Sequence, residues 1–172
     1  MRARRDGLEI GALATFRELG EHAVVRRRFP SLAAAAAEVG GWQIQSRATI
    51  AGNIANASPA GDSLPVLLAH DAVVRARSVR GGRDIPFTDF YRGYRVLALE
   101  PDEMITSVVL PFPPARATAQ FRKVGTRRAQ SISKVVFAGL VATDRAGASP
   151  MRGSRSAAWR PCRCARVRPR RR

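Results

Sequence analysis

The chain has 172 residues, of which 45% are hydrophobic, and it carries a formal net charge of +17. This length is enough for one domain with a hydrophobic core, and the composition is that of a globular rather than a disordered protein. No apolar run approaches the roughly 20 residues of a membrane-spanning helix, and the basic N-terminus lacks an apolar stretch of signal-peptide length. A cytoplasmic protein without a membrane partner is therefore expected.

The N-terminal part predicts a strand followed by two helices. Apolar residues alternate from Leu8 to Ala12, as is typical of a strand, and Thr15 is suited to cap the amphipathic helix that follows. A proline then interrupts the pattern, and Ser31 is predicted to cap a second, alanine-rich helix. Gly40 and the glycine after it are expected to end that helix.

Residues 47–65, RATIAGNIANASPAGDSLP, are rich in glycine and asparagine, and their only basic residue is Arg47 at the edge. Because Gly, Asn, Ser and Pro are turn residues, one interpretation is a loop that only connects two elements. The other is a binding segment. The run is long for a simple connection, and it ends at a predicted helix N-terminus, where amide groups and the helix dipole favour an anion.

The residue types of this segment suit a nucleotide. Gly52 would let the backbone approach a ligand without a Cβ between them. Asp62 accepts hydrogen bonds only and suits a ligand hydroxyl, while a plain N-cap is the equally open alternative. Neutral donors and acceptors for phosphate oxygens and sugar hydroxyls are Thr49, Asn53, Asn56 and Ser58. Such a site would need little lysine or arginine, which would account for the scarcity of positive charge.

A short helix and a hairpin are predicted next. Asp62 or Ser63 is expected as the N-cap of the helix, which has a proline in its first turn. Residues 72–87 alternate apolar and basic side chains, which is typical of a hairpin, and Gly81 and Gly82 are expected to form its turn.

Three prolines at the end of a predicted strand, residues 102–114, indicate a domain boundary. Residues 120–143 then predict a strand, a polar turn, and a helix or strand that begins a second unit. The order of the elements indicates an α+β fold. His22 and His70 lie at predicted helix ends and are expected at the surface, and the sequence predicts neither a catalytic residue nor a metal site.

The excess of positive charge is concentrated near the C-terminus. Residues 145–172 contain ten arginines and no acidic residue. A charge run is more often a solvated tail than a binding site, and Cys162 and Cys164 within it are too close for a structural disulfide and lack further metal ligands. No nucleic-acid-binding motif accompanies the tail. The alternative function is nevertheless a basic, non-enzymatic interaction module that binds nucleic acid or anionic surfaces through these arginines.

The sequence from Thr49 to Ala72, TIAGNIANASPAGDSLPVLLAHDA, strongly resembles the flavin-binding signature of a known family. The family is that of the medium, FAD-binding subunits of molybdenum hydroxylases, of the xanthine dehydrogenase and aerobic carbon monoxide dehydrogenase type. The similarity extends from residue 6 to about residue 142. The family pattern begins T-I-G-G-N, and Ala51 replaces its first glycine. This alanine is strained only if its backbone needs a positive φ, and otherwise adds a methyl group near the flavin.

The resemblance also implies which residues contact FAD. In and beside the signature they are Ala48, Thr49, Gly52, Asn53, Ala55, Asn56, Ser58, Gly61 and Asp62. Outside it they are Ile44, Ile105 and Lys123. Without the resemblance, the two isoleucines would be assigned to the hydrophobic core and the lysine to the surface.

The resemblance implies a domain organisation as well. Residues 1–113 correspond to the second lobe of a two-lobed FAD-binding domain of the PCMH/CO dehydrogenase flavoprotein type, without the N-terminal lobe that grips the FAD diphosphate. Residues 114–144 correspond to the beginning of the α+β C-terminal domain. Residues 145–172 are expected to be a disordered or out-of-frame tail. When Pro150 to Arg170 are back-translated and the reading frame is moved by two nucleotides, the encoded residues can resemble the family's C-terminal stretch.

The implied function is that of a subunit of an FAD-dependent oxidoreductase. In the family, electrons from a molybdenum-cofactor large subunit pass through an iron–sulfur small subunit to FAD, which reduces NAD or another acceptor. Since the contacts of the missing lobe would be lost, we expect the chain alone to bind FAD weakly or not at all and to show no turnover.

Overall fold

The computed structural model describes residues 1–127, 129–142 and 155–158. In this part of the chain the strands are β1 (Arg2–Ala3), β2 (Gly7–Gly11), β3 (Val73–Ser78), β4 (Gly81–Pro86), β5 (Tyr91–Gly93), β6 (Val96–Leu97), β7 (Met104–Pro111), β8 (Ala117–Gly125), β9 (Ser133–Ala142) and β10 (Arg155–Ala158). The helices are α1 (Phe16–Glu21), α2 (Ala23–Arg28), α3 (Pro30–Glu38), α4 (Trp42–Gln45), α5 (Ile50–Asn56) and α6 (Leu64–Ala69), with a 3₁₀ helix at Phe87–Asp89. None of the described helices is long and apolar enough to cross a membrane.

A five-stranded antiparallel sheet, in the order β1-β2-β7-β3-β4, forms the first layer. On its inner face Leu8 pairs with Leu110 and Val74 pairs with Val108, and all four side chains are fully buried. Buried side chains of α1, α3, α5 and α6 join them in one hydrophobic cluster, so the helices form a second layer against this face. The expected α+β fold is confirmed.

The outer face of the same sheet carries charged side chains, as the alternating pattern of its strands requires. Glu9 on β2 accepts a hydrogen bond from Arg75 at 2.9 Å and from Ser107 at 3.1 Å. The hydrogen bond from Arg4, with those from Ser107 and Arg75, lowers the pKa of Glu9 to about 2 against the opposing effect of desolvation.

Local capping signals fix the first helices. The predicted N-cap Thr15 is confirmed: its Oγ1 accepts from the Glu18 amide at 3.2 Å, and the Glu18 carboxylate accepts from the Thr15 amide at 2.7 Å. The single predicted helix is divided at His22, which ends α1 and precedes α2. Gly40 follows α3 with φ +53°, a left-handed conformation that favours glycine, so this predicted stop is also confirmed.

Two sequence predictions near α3 are wrong. Ser31 does not cap the helix, because Pro30 already occupies its first position and no side-chain cap is formed. The Ser31 hydroxyl instead lies 3.0 Å from Nε2 of His70. His70 is not a surface residue: only 4% of it is exposed, because the end of α6 packs against α3.

The predicted hairpin is confirmed in its strands but not in its turn. β3 and β4 pair from Val73 opposite Pro86 to Ser78 opposite Gly81. Val79 and Arg80 therefore form the turn, and Gly81 begins β4 with φ +134°. The 3₁₀ helix follows the hairpin and leads directly into β5.

A second antiparallel sheet has the order β10-β9-β8. The alternative that the sequence left open for residues 120–143 is thereby resolved, because both apolar runs are strands. Of the arginine-rich segment, β10 pairs with β9, and the rest lies outside the described residues, as do the predictions for Cys162 and Cys164.

Candidate functional site

Residues Ile50–Asn56 of the glycine- and asparagine-rich segment form helix α5, so this part of the segment is not a loop. The Thr49 Oγ1 accepts from the Gly52 amide at 3.1 Å and caps the start of the helix. Ile50 and Ile54, four residues apart, are fully buried, which gives the helix its inner face. Ala57 ends it in the left-handed conformation with φ 49°.

Backbone contacts fix α5 in place. The Ile50 amide donates to the Ala14 carbonyl at 2.9 Å, and the Ala48 carbonyl accepts from the Phe16 amide at 3.1 Å. At the other end, the Tyr91 hydroxyl donates to the Ile54 carbonyl at 2.8 Å. Because both ends are anchored to the folded core, the outer face of the helix is a rigid surface.

The side chains on that outer face are small and uncharged. Gly52, Ala55 and Asn56 are exposed and lie three and four residues apart, hence on one side of α5. Among the described residues outside the backbone of α5 itself, a Cβ at Gly52 would have only the Thr49 hydroxyl oxygen within 4 Å, at 3.0 Å, so this position opens towards solvent. A ligand can therefore approach the backbone closely at this glycine.

The alanine that replaces the first glycine of the family signature is not strained. Ala51 lies inside α5 with 8% of its surface exposed, and it is not among the residues with positive φ. Its methyl group points into the core rather than towards the outer face. A residue with a side chain is therefore compatible with this position.

The chain between α5 and α6 is held by its own side chains. Ser58 Oγ accepts from the Ala60 amide at 3.3 Å, and the Ser58 carbonyl accepts from the Gly61 amide at 3.0 Å. The Ser63 hydroxyl donates to Asn53 Oδ1 at 2.8 Å, so the group that Asn53 can offer to a ligand is its Nδ2 amide.

The start of α6 differs from the sequence prediction. Ser63 occupies the N-cap position but makes no side-chain cap, and Asp62 is not the cap either. Both residues are buried together with Gly61, so this helix start faces the interior and not an incoming anion. The most exposed part of this segment is the outer face of α5.

A buried ion pair joins this segment to the second sheet. Lys123 Nζ on β8 donates to Asp62 Oδ2 at 2.7 Å and to the Glu38 carbonyl at the end of α3 at 2.8 Å. Ser133 on β9 donates from its hydroxyl to Asp62 Oδ1. The side chains of Lys123 and Asp62 are only 5% and 9% exposed. The lysine is thus not the surface residue that the sequence alone would suggest.

The two isoleucines implied by the resemblance lie in different surroundings. Ile105 on β7 is 8% exposed, and α5 packs against that strand. Ile44 on α4 is 51% exposed, so its assignment to the core is wrong, although its carbonyl accepts from the Ala48 amide at 2.7 Å. Both therefore flank α5, one beneath it and one before it.

Sequence reasoning missed Ser133 and the Glu38 carbonyl. One signal was available: Lys123 is two residues after Phe121 in a strand, and alternate residues share a face. Phe121 packs against the hydrophobic core, so a lysine on the same face requires a buried partner. The sequence does not reveal which acid or hydroxyl that partner is.

The α+β fold and the uncharged, glycine-containing helix face are those of a domain suited to an organic cofactor or nucleotide. Residues 1–113 match the family described as the FAD binding domain in molybdopterin dehydrogenase. The chain belongs to this family, and its cofactor is FAD. The residues fit the cofactor, because Gly52 leaves the outer face of α5 open and neutral donors lie beside it.

Similar proteins agree with this assignment. The chain is 37% identical to the nicotinate dehydrogenase FAD-subunit of Eubacterium barkeri over 86% of its own length and 51% of the relative's. It is 34% identical to the xanthine dehydrogenase FAD-binding subunit of Escherichia coli O157:H7, over 94% of this chain and 56% of the relative's. The chain thus spans about half the length of the curated relatives it matches. Neither relative is a basic nucleic-acid-binding module, so the alternative function gains no support.

The fold is shared with solved structures. Carbon monoxide dehydrogenase from Hydrogenophaga pseudoflava superimposes with a TM-score of 0.85 over 92% of this chain and 54% of that chain, at 24% identity. Quinoline 2-oxidoreductase from Pseudomonas putida 86 gives a TM-score of 0.82 over 91% of this chain and 53% of that chain, at 22% identity. At these identities the similarity concerns the fold alone.

Proposed function

We propose that the protein is the FAD-binding part of a molybdenum hydroxylase that passes electrons from iron–sulfur clusters to NAD or another acceptor. Its partners are a large subunit with the molybdenum cofactor and a small iron–sulfur subunit, and it works in the cytoplasm. The family match and the relatives described as FAD subunits of nicotinate and xanthine dehydrogenases support this function.

The observation that carries the proposal is the exposed face of α5. Gly52 and Ala55 keep this face free of bulk, and Asn53 and Asn56 supply amide groups for hydrogen bonds to a ligand. The anchored ends of α5 keep these groups in fixed positions, which reduces the ordering cost of binding. When bound, the flavin supplies the redox chemistry, and the protein supplies binding, orientation and electrostatics.

Two groups of residues would hold the cofactor. Lys123 is the one cation of the proposed set, and Asp62 and the Glu38 carbonyl fix its ammonium group. The group on and around α5 and its flanks comprises Ile44, Ala48, Thr49, Gly52, Asn53, Ala55, Asn56, Ser58, Gly61 and Ile105. No residue in either group is assigned as a general acid or base.

We also propose that the first unit ends near residue 113 and that a second unit begins with β8. The first sheet is complete at Pro111, and β8 starts at Ala117 in a separate sheet. Residues 114–144 belong to this second unit, and Lys123 reaches back from it into the first.

Titration of the purified chain with FAD, followed by flavin fluorescence, tests the site. Gly52→Val should weaken binding by about tenfold or more, because a branched side chain would cover the outer face of α5. Gly20→Val is the matched control: Gly20 also lies in a short helix, with nothing within 4 Å of its added Cβ. Measurable FAD binding with the same affinity in Gly52→Val and the parent chain would remove α5 from the site.

A further inference from the structure

The Asp62 carboxylate is held by both strands of the second sheet. Lys123 on β8 donates to Oδ2 at 2.7 Å, and Ser133 on β9 donates to Oδ1. Neither the family resemblance nor the similar proteins assign a role to Ser133. The serine therefore requires its own explanation.

An ion pair alone would leave this carboxylate incompletely satisfied. The side chains of Asp62 and Lys123 are both almost fully buried, and a buried charge is tolerated only when its remaining hydrogen-bonding capacity is also used. Ser133 supplies the donor for the oxygen that Lys123 does not reach. With both oxygens bonded, the carboxylate cannot rotate without breaking one of the two contacts.

A bulge in the sheet places Ser133 where its hydroxyl can donate to Asp62. Lys123 pairs with Val136, so strict alternation along β9 would put Lys134 on the inner face and Ser133 on the outer one. The register shifts between Val124 and Gly125, and Ser133 becomes the partner of Gly125. Ser133 is accordingly half-buried while Lys134 is exposed. Bulges are a recurrent device for turning a side chain towards a site.

The hydrogen-bond donor that remains on Lys123 indicates the role of its contacts with Asp62 and Glu38. Its ammonium group has three N–H donors, of which one is used by Asp62 Oδ2 and one by the Glu38 carbonyl. The third is held in a fixed direction as long as Asp62 does not move. A fixed donor binds a ligand group with less loss of side-chain entropy than a mobile lysine does.

We infer that Ser133 is a positioning residue: it fixes the Asp62 carboxylate and, through it, the ammonium group of Lys123 for the cofactor. This inference rests on the proposed function, in which Asp62 and Lys123 belong to the FAD site. Ser133 does not contact the cofactor in this assignment. The effect of a Ser133 substitution on FAD affinity must therefore disappear when the Asp62 carboxylate is also replaced.

The first test needs no cofactor. The chain has two lysines, Lys123 and Lys134, so a sample labelled with ¹⁵N-lysine gives NMR ammonium signals from only two sites. The buried, hydrogen-bonded Lys123 should give a slowly exchanging signal, and the exposed Lys134 is the internal reference. Ser133→Ala should shift or broaden the Lys123 signal, and Ser133→Thr, which keeps the hydroxyl, should preserve it.

Ser131→Ala is the matched control for this experiment, because the Ser131 hydroxyl donates to the Arg127 carbonyl in the preceding loop and not to Asp62. It should leave the Lys123 signal unchanged. An unchanged Lys123 signal in Ser133→Ala would overturn the inference whether or not the chain binds FAD.

The second test is a double-mutant cycle on FAD affinity. Ser133→Ala should weaken FAD binding by about tenfold, the effect of losing one hydrogen bond to a charged group. In an Asp62→Asn background the same substitution should have little further effect, because the residues act through one contact. An equal loss in both backgrounds would overturn the positioning role while leaving the proposed function intact. Measurable FAD binding with the same affinity in Gly52→Val and the parent would instead count against the proposed function.

Discussion

Mild acid is expected to destabilise this protein through one histidine. His70 ends α6 with 4% of its surface exposed, its Nε2 lies 3.0 Å from the Ser31 hydroxyl, and the ring of Phe29 packs edge-on at 5.3 Å. Nδ1 is buried and has no hydrogen-bond partner among the described residues. Burial disfavours the charged imidazolium and lowers the pKa of His70 to about 4 from its ordinary value of 6.5.

The sign of the effect follows from this shift. Because the folded pKa lies below the unfolded one, the unfolded chain binds the proton more tightly, and acid favours unfolding. The contribution of His70 to stability is fully present above about pH 6.5 and is lost as the pH falls towards about 4. The loss is about 2 kcal/mol by about pH 5 and about 3 kcal/mol when complete.

Urea unfolding followed by circular dichroism at about pH 7.5 and about pH 5 measures this loss. Glu9 and Glu103 contribute little over this range, because hydrogen bonds, led by that from Arg4 to Glu9 and that from Arg83 to Glu103, lower the pKa of each of these glutamates to about 2. The free energy of unfolding of His70→Gln should be nearly independent of pH in this window. His22→Gln, which alters the only other histidine, is the control and should keep the parental loss. An equal loss of stability in His70→Gln and the parent would show that the loss does not arise from His70.

Two further predictions concern stability. Lys123→Met should lower the free energy of unfolding by about 3–5 kcal/mol, because it leaves the buried Asp62 carboxylate without its counter-charge. Arg80→Met, which breaks an ion pair whose side chains are 67% and 43% exposed, should cost less than about 1 kcal/mol in the same urea titration. Gly40→Ala should cost about 1–2 kcal/mol or more, because φ is +53° and the added Cβ would lie 2.7 Å from the side chain of Ile44. Gly20→Ala, in open surroundings within α1, should be neutral or stabilising in thermal unfolding, and a similar loss for both glycines would contradict this reasoning.

Features that depend on neighbours in sequence could be predicted from the sequence. The strand at Leu8, the N-cap at Thr15 and the helix stop at Gly40 are confirmed, because alternation, capping and a positive φ are all local. Helix α5 is a local element that the sequence analysis did not predict. Its glycine and asparagines resemble a turn, and only the spacing of Ile50 and Ile54 indicates a buried helical face.

Features that depend on distant parts of the chain could not be predicted from single residues. His70 occupies a helix end, where histidines are commonly exposed, but α3 covers it. Ser133 faces Asp62 only because the register of β8 and β9 shifts, and strand alternation gives no sign of that shift. The resemblance named Lys123 and Asp62 as separate contacts, and the folded chain brings them together across 61 positions of sequence.

Under the proposed function, this pairing accounts for the scarcity of positive charge in the glycine- and asparagine-rich segment. A lysine or arginine on the outer face of α5 would fill the space that Gly52 and Ala55 leave open, and its long side chain would be mobile. The cation of the proposed site instead comes from a strand of another sheet, where Asp62 and the Glu38 carbonyl hold it. Placing the charge on β8 keeps the helix face open and makes the position of the ammonium group depend on the contact between the two sheets. Any change that separates β8 from α3 should therefore weaken cofactor binding even when α5 itself is intact.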